Sequence, residues 1–226
     1  MKEKAIVLMS GGMDSTVCAG LAIERGYDVY ALHVHYGQRT QEREAQAFND
    51  VCMFYGISQQ LDVDISYLAK IGGSSLTDSS MSIEKANLDH DGIPTSYVPF
   101  RNANLLSIAV SWAEVIGAKH IFIGAVEEDG SGYPDCRKMF FESFERMIEY
   151  GTKPNTDITI QTPIIHMKKS QIILEANRIS APLHLTWSCY SQNDAACGIC
   201  DSCALRLRGF SEAGCQDPIP YQERLT

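Results

Sequence analysis

The sequence predicts an α/β fold: a doubly wound, mostly parallel five-stranded sheet followed by a small C-terminal helical module built around cysteines. Three observations predict it. Short apolar runs alternate with amphipathic helical stretches from the N-terminus onward, which is the pattern of parallel strands joined by right-handed crossovers. The first run ends at once in a pair of glycines that open a helix. Four of the eight cysteines fall within fifteen residues near the C-terminus.

Ala5 to Met9 is apolar throughout and too short for a core helix, so it reads as a strand buried on both faces. Gly11 and Gly12 break it, and a helical pattern starts near Met13 and closes at Gly26. Asp28 to His35 reads as a second strand, ending in Tyr36-Gly37-Gln38-Arg39. A helix follows to about Tyr55 with Gly56 as its stop, and a third strand covers roughly Gln60 to Ile65. Residues 66–99 break the rhythm with Gly72-Gly73-Ser74-Ser75, Asp89-His90-Asp91-Gly92 and Ile93-Pro94, and stand as a lid over a site or a partly disordered insertion. A long helix from Asn102 to Ile116 stops at Gly117. His120 to Gly124 is a fourth strand, and the polar loop 125–137 leads into a helix to about Tyr150. Ile158 to Ile160 is a short fifth strand, and a helix spans Lys168 to Arg178. The expected division is an α/β domain over 1–182 and a cysteine module with a polar tail over 183–226.

Composition narrows the function. A hydrophobic content of 45% over 226 residues supports a real core, and a net charge of −9 argues against a bulk nucleic-acid binder. No apolar stretch is long enough to span a membrane, and the N-terminus has no secretory pattern, so a cytoplasmic protein is expected. In a reducing compartment the cysteines are not expected to pair as disulfides.

The turn Ser10-Gly11-Gly12-Met13-Asp14-Ser15-Thr16 is an anion site by its physics. The first N–H groups of a helix lack intrahelical partners and the helix dipole adds positive charge there. It is neither a P-loop, because Asp14 stands where that pattern needs Lys, nor a dinucleotide turn, because the glycines are adjacent. Asp14 is a poor neighbour for a polyanion; Mg²⁺ or hydrogen bonds that fix the loop would each resolve this. Arg101 and Lys169, each at a helix start after a Pro-containing turn, are candidate phosphate clamps. Cys189, Cys197, Cys200 and Cys203 have the spacing of a tetrahedral four-thiolate zinc site of structural type, with an iron–sulfur cluster or a redox thiol set as alternatives.

The loop after the fourth strand carries Glu127, Asp129, Tyr133, Asp135 and Arg137. Carboxylates there suit the adjacent N–H donors of a guanine-like edge, and the bland alternative is a solvated turn with a helix cap at Asp135. Its place on the same rim as the glycine turn favours a binding role. Cys136 reads as packing rather than as a nucleophile, and His33 and His35 share one strand face as packed residues.

The glycine turn resembles the SGGxDS loop of the N-type ATP pyrophosphatases. The turn, Tyr36 to Arg39, Ser75-Leu76-Thr77, Val98-Pro99 with Arg101-Asn102, Ser131 to Arg137, Lys169 and the clustered cysteines together resemble the 7-cyano-7-deazaguanine synthase family. The resemblance covers most of the chain, departs at Phe100, where that family often has glycine, and is weak over the lid. It implies an adenine nucleotide alpha hydrolase-like, Rossmann-like fold and ATP-dependent conversion of 7-carboxy-7-deazaguanine and ammonia into the nitrile, through adenylated carboxylate and amide, in queuosine biosynthesis. It implies ATP with Mg²⁺ on Met9, Ser10, Gly11, Gly12, Met13, Asp14, Ser15, Thr16, Arg101 and Lys169, with Asp14, Arg101 and Lys169 catalytic. It further implies substrate on Asp129, Tyr133, Asp135 and Arg137, one zinc on the four cysteines, free ammonia and a homodimer. A tRNA-thiolating pyrophosphatase and a non-catalytic nucleotide sensor are the rival readings.

Overall fold

The computed structural model describes residues 2–87, 92–127 and 132–222. Five strands form one parallel sheet: β1 (Lys4–Leu8), β2 (Asp28–His35), β3 (Gln59–Asp64), β4 (His120–Ile123) and β5 (Thr159–Gln161), in the spatial order β3-β2-β1-β4-β5. Every strand pair is parallel. The order reverses between β1 and β4, so the crevice beyond their carboxyl ends is where such a sheet binds ligands.

Strand β1 alternates faces, and its residues divide between two cores accordingly. Ala5, Val7 and Met9 pack with α1 (Met13–Glu24), α2 (Gln41–Tyr55) and α6 (Lys169–Arg178). Ile6 and Leu8 pack on the other face with α4 (Arg101–Ile116) and α5 (Lys138–Gly151). Helices α2 and α4 end at Gly56 and Gly117 in the left-handed conformation, the usual glycine stop.

The stretch after β3 is less open than the sequence implies. It contains a short α3 (Tyr67–Ile71), and Leu68, Leu76 and Val98 are buried. Ser75 N donates to Thr95 O at 2.8 Å, and Arg39 donates through its guanidinium to the carbonyls of Asp78 (2.6 Å) and Met81. Ala86 N donates to Ile199 O at 2.8 Å, which ties this stretch to the cysteine cluster. Asp89 to Asp91 lie outside the described residues.

The C-terminal segment is expected to end in a polar tail; instead it folds back into the protein. Helix α7 (Asp201–Glu212) packs along α6, and Asp217 and Ile219 are buried. Arg206 on α7 is the reason. Its Nε and Nη2 donate to both Asp217 oxygens (2.8 and 3.0 Å), Nη1 donates to Thr186 Oγ1 (2.7 Å) and Nη2 to Leu183 O (3.1 Å). Tyr221 OH and Ile219 N donate to the same carboxylate at 2.7 and 3.2 Å. A guanidinium and a carboxylate withdrawn from water are tolerated when their hydrogen-bonding capacity is met in this way.

Candidate active site

The crevice at the strand reversal holds a cavity of about 280 Å³. The glycine turn forms one end of it. Ser10 N donates to Ser15 Oγ (3.3 Å), Gly12 N donates to Ser10 Oγ (3.2 Å), and the Ser15 and Thr16 hydroxyls donate to Gly12 O (3.0 and 2.9 Å). The hydroxyls therefore hold the loop's shape. Gly11 has φ +79°, and a Cβ there would lie 2.6 Å from Glu44 O. Only glycine lets α2 come this close to the turn. Gly11 O accepts from Trp187 N at 2.9 Å, so the segment before the first clustered cysteine braces the loop from its other side.

The carboxylate of Asp14 is neutralised by Lys169, whose Nζ stands 3.1 and 2.9 Å from its two oxygens. Lys169 is the first residue of α6, and α7 makes room for it: a Cβ on Gly209 would be 2.6 Å from Lys169 Cγ. Lys168 is exposed at the cap of the same helix, so of the two lysines only Lys169 lines the cavity.

Another part of the lining is aromatic and cationic. Arg101 donates to Tyr36 OH (3.2 Å) and lies over the Tyr36 ring, 5.1 Å from its centroid. Tyr133 OH and Ser96 Oγ share a hydrogen bond of 2.8 Å. Desolvation pushes the Tyr36 hydroxyl up to about 12 and raises those of Tyr133 and Tyr190. The Cys136 thiol lines the cavity, is pushed up to about 11 by burial, and accepts from Asn102 Nδ2 at 3.3 Å. It is a protonated thiol at neutral pH, which agrees with packing rather than nucleophilic attack.

Phe100 has φ 56°, the left-handed region that a residue with a Cβ adopts at a cost of roughly 1–2 kcal/mol. This explains why a glycine would suit this place: the chain must reverse here to start α4 with Arg101 pointing into the cavity.

The expected substrate loop divides in two. Tyr133 lines the cavity. Asp135 is buried and does not line it: its carboxylate accepts from Asn102 N (2.9 Å), while its carbonyl accepts from Asn102 Nδ2 (2.9 Å). The short 3₁₀ turn Pro134–Cys136 is thereby bolted to the start of α4. Arg137 is exposed at the cap of α5, and Glu127 accepts from Lys138 N at 3.3 Å. Asp129 lies outside the described residues, as do Gly130 and Ser131.

Sequence reasoning passed over Glu44, Trp187 and Tyr190, all of which line the cavity. Glu44 sits in the run Gln41-Glu42-Arg43-Glu44, which reads as the solvated first turn of a helix. Its carboxylate instead turns inward and accepts from Thr40 Oγ1 (2.8 Å) and Gln38 Nε2 (3.0 Å). The signal for Gln38 lay in the turn after the second strand: its Oε1 accepts from Tyr36 N at 2.9 Å, fixing the amide so that its NH₂ faces Glu44. The histidines are structural. His33 Nδ1 is 2.7 Å from Met9 O and its ring stacks on Phe48, while His35 Nε2 is 2.9 Å from Asp62.

The clustered cysteines converge. The four buried Sγ atoms lie within 4.8 Å of one another, and Cys197 N and Cys200 N donate to Cys189 Sγ (3.3 Å) and Cys197 Sγ (3.4 Å). Four thiolates around a zinc ion with Zn–S bonds of about 2.3 Å stand roughly 3.8 Å apart, so the donor set fits a closed tetrahedral site. Backbone N–H groups aimed at sulfur are what a coordinated thiolate attracts.

Comparison with known proteins gives one consistent result. The profile of the family described as Queuosine biosynthesis protein QueC matches residues 4–214. The 7-cyano-7-deazaguanine synthase of Chlorobium chlorochromatii (strain CaD3) is 58% identical over 221 residues, 98% of this chain and 97% of that protein. The enzyme of that name from Chloroherpeton thalassium (strain ATCC 35110 / GB-78) is 56% identical over 221 residues, covering 98% of each. Among solved structures, an NMN synthetase from Francisella tularensis superposes with a TM-score of 0.50 at 16% identity, over 95% of this chain and 79% of that one, a likeness of fold.

Proposed function

The chain belongs to the QueC family of queuosine biosynthesis proteins, and from that membership we propose that it is an ATP-dependent carbon–nitrogen ligase making 7-cyano-7-deazaguanine from 7-carboxy-7-deazaguanine and ammonia. The observation that carries the reading is a single cavity lined by the glycine turn and Lys169 together with Tyr36, Arg101 and Tyr133. The substrate carboxylate attacks the α-phosphorus of ATP, pyrophosphate leaves, and ammonia displaces AMP to give the amide. A second adenylation, on the amide oxygen, turns a poor leaving group into AMP and leaves the nitrile. The protein's part is alignment and charge neutralisation.

In this reading the N–H groups at the start of α1, Lys169 and Arg101 take the phosphates, with Mg²⁺ supplying further positive charge when ATP is bound. The Asp14–Lys169 pair sets the resting charge of that end near zero, and a polyphosphate competes with Asp14 for the ammonium. Tyr133 contacts the deazaguanine, and Asp129 belongs to the same loop. Asp135 and Arg137 act on substrate through the positions they give to Asn102 and α5. The four cysteines hold one zinc ion, which closes residues 183–226 as a unit against the α/β domain of 1–182. The enzyme works in the cytoplasm as a homodimer, takes ammonia free and binds no nucleic acid.

The test is pyrophosphate and AMP release with ATP, Mg²⁺ and ammonium, with and without 7-carboxy-7-deazaguanine, and product masses read alongside. Substrate-dependent AMP with a nitrile product is expected. Pyrophosphate without that dependence would move the reading to a thiolating pyrophosphatase, and its complete absence to a nucleotide sensor. Elemental analysis of the purified protein tests the zinc, with one equivalent per chain expected. Sedimentation at micromolar concentration tests the dimer.

A further inference from the structure

Dehydrating a carboxamide requires two protons to leave its nitrogen. When the amide oxygen attacks the α-phosphorus and pyrophosphate departs, the product is an O-adenylated imidate with a protonated nitrogen. Loss of one proton gives the neutral imidoyl adenylate. Loss of the second, as the C–O bond breaks and its electron pair leaves with AMP, gives the nitrile. A protonated imidate is far more acidic than ammonium, and the remaining N–H becomes acidic as the C–O bond breaks, so a carboxylate is base enough to take both protons.

The cavity lining restricts which group can do so. No histidine lines it among the described residues. Its tyrosines and Cys136 are held protonated by burial, and Arg101, Lys169 and Arg206 are cations. Among the described residues two carboxylates line it, Asp14 and Glu44. Asp14 belongs to the turn proposed to hold the triphosphate, beside Lys169, rather than to the residues proposed to meet the deazaguanine. Glu44 accepts one hydrogen bond on each oxygen, from Thr40 Oγ1 and Gln38 Nε2, which leaves each oxygen capacity for another.

We infer that Glu44 is the catalytic base of amide dehydration, accepting the protons of the substrate nitrogen one at a time and relaying each to water before the next. The inference rests on the proposed reaction and adds a named residue to its second half. Two features of the fold prepare Glu44 for this. Its backbone abuts the phosphate turn at Gly11, so the carboxylate is fixed relative to the adenylating end. Its surroundings also favour proton uptake: desolvation raises the Glu44 carboxyl above its ordinary 4.5, opposed by the Thr40 and Gln38 hydrogen bonds and by the Arg101 and His35 charges. Tyr36, Tyr133 and Tyr190 line the same cavity as neutral groups, and the Asp14–Lys169 pair there is close to neutral as a unit.

The experiment supplies the amide intermediate, 7-carbamoyl-7-deazaguanine, with ATP and Mg²⁺ to wild type and to Glu44→Gln. In Glu44→Gln nitrile formation is expected to fall about a hundredfold more than amide formation from 7-carboxy-7-deazaguanine, so that the amide accumulates. Wild-type nitrile formation should show an acid limb with a pKa above the ordinary glutamate value, and adenylation of the acid should lack it. Equal nitrile rates in the two proteins overturn the assignment, as does equal loss of both half-reactions. If Glu44→Gln fails to fold, the wild-type profiles decide alone, and an acid limb absent from nitrile formation overturns it. Wild type run alongside separates the two ideas. Nitrile from wild type and variant at one rate removes Glu44 and leaves the reaction standing, whereas no nitrile from wild type removes the reaction and the base together.

Discussion

Two ion pairs anchor the neighbouring helices α6 and α7, and they are built to opposite specifications. Arg206 and Asp217 are each 2% exposed, and the donors and acceptors around them come from Leu183, Thr186, Ile219 and Tyr221. Asp14 and Lys169 are 30% and 11% exposed, and they meet inside the cavity. The first pair is saturated, so neither ion has anything to gain from a newcomer. In the second, a lysine ammonium on a flexible stem can turn its donors toward another anion. One pair fastens the C-terminal segment; the other is an exchangeable contact at the end of the cavity where phosphate is proposed to bind. Burial and the number of partners distinguish a fixed pair from an exchangeable one, although the charges involved are alike.

The contrast can be broken most severely at Asp217. Asp217→Ala leaves the Arg206 guanidinium buried without its counter-ion, and a loss of about 3–5 kcal/mol in unfolding free energy is expected from urea titration. Turnover per folded molecule should fall less than in Lys169→Met, since Arg206 lines the cavity but keeps its bonds to Thr186 and Leu183. Lys169→Met should do the reverse. Unfolding free energy is expected to change by about 1 kcal/mol or less, while ATP-dependent pyrophosphate release falls about a hundredfold or more. A variant that loses both in proportion would erase the distinction. Gly209→Ala tests how closely the two helices are coupled. The added Cβ would press on Lys169 Cγ, so a stability loss of about 1–3 kcal/mol from overpacking is expected, together with a raised KM for ATP that more distant α7 substitutions do not produce.

The smallest effect belongs to a third, exposed cluster, in which Arg178 meets Glu24 at 2.6 Å and Glu175 at 2.8 Å. Arg178 holds both carboxyls below their usual 4.5. A carboxyl depressed on folding contributes stability above its unfolded pKa and loses it as pH falls through the folded value. Thermal midpoints should therefore show an Arg178-dependent decline only below about pH 4.5, and 1 M salt should flatten it because the groups face water. Retention of the decline in high salt would mean the cluster is better sheltered than its exposure implies.

What was legible in the chain follows from how local each signal is. The five strands and their helices announce themselves through apolar runs and glycine stops, and Gly11-Gly12 followed by Asp14-Ser15-Thr16 is contiguous, so the turn that lines the cavity could be read directly. Lys169 was picked out by its place after a Pro-containing turn, but its partner was hidden: an ion pair 155 residues apart leaves no local trace. Glu44 was hidden by its neighbours, because a helix start rich in charge reads as solvated whichever way one carboxylate turns. Asp135 looked like a binding group because its loop lies on the right rim, yet Asn102 claims it. Phe100 became intelligible only once φ 56° was seen. The polar tail was misread because hydropathy alone does not reveal that Arg206 supplies a buried partner for Asp217.

The separation of 155 residues between Asp14 and Lys169 also has a temporal side. During synthesis the chain emerges at about 5–20 residues per second. The glycine turn with Asp14 therefore leaves the ribosome many seconds before its counter-ion, and Trp187 and α7 arrive later still. Until then the nascent protein carries the loop without the residues that brace it through Gly11 and neutralise it through Asp14. The cavity is in that sense assembled only when translation is complete, and an unfinished chain holds the glycine turn without Lys169 and Trp187.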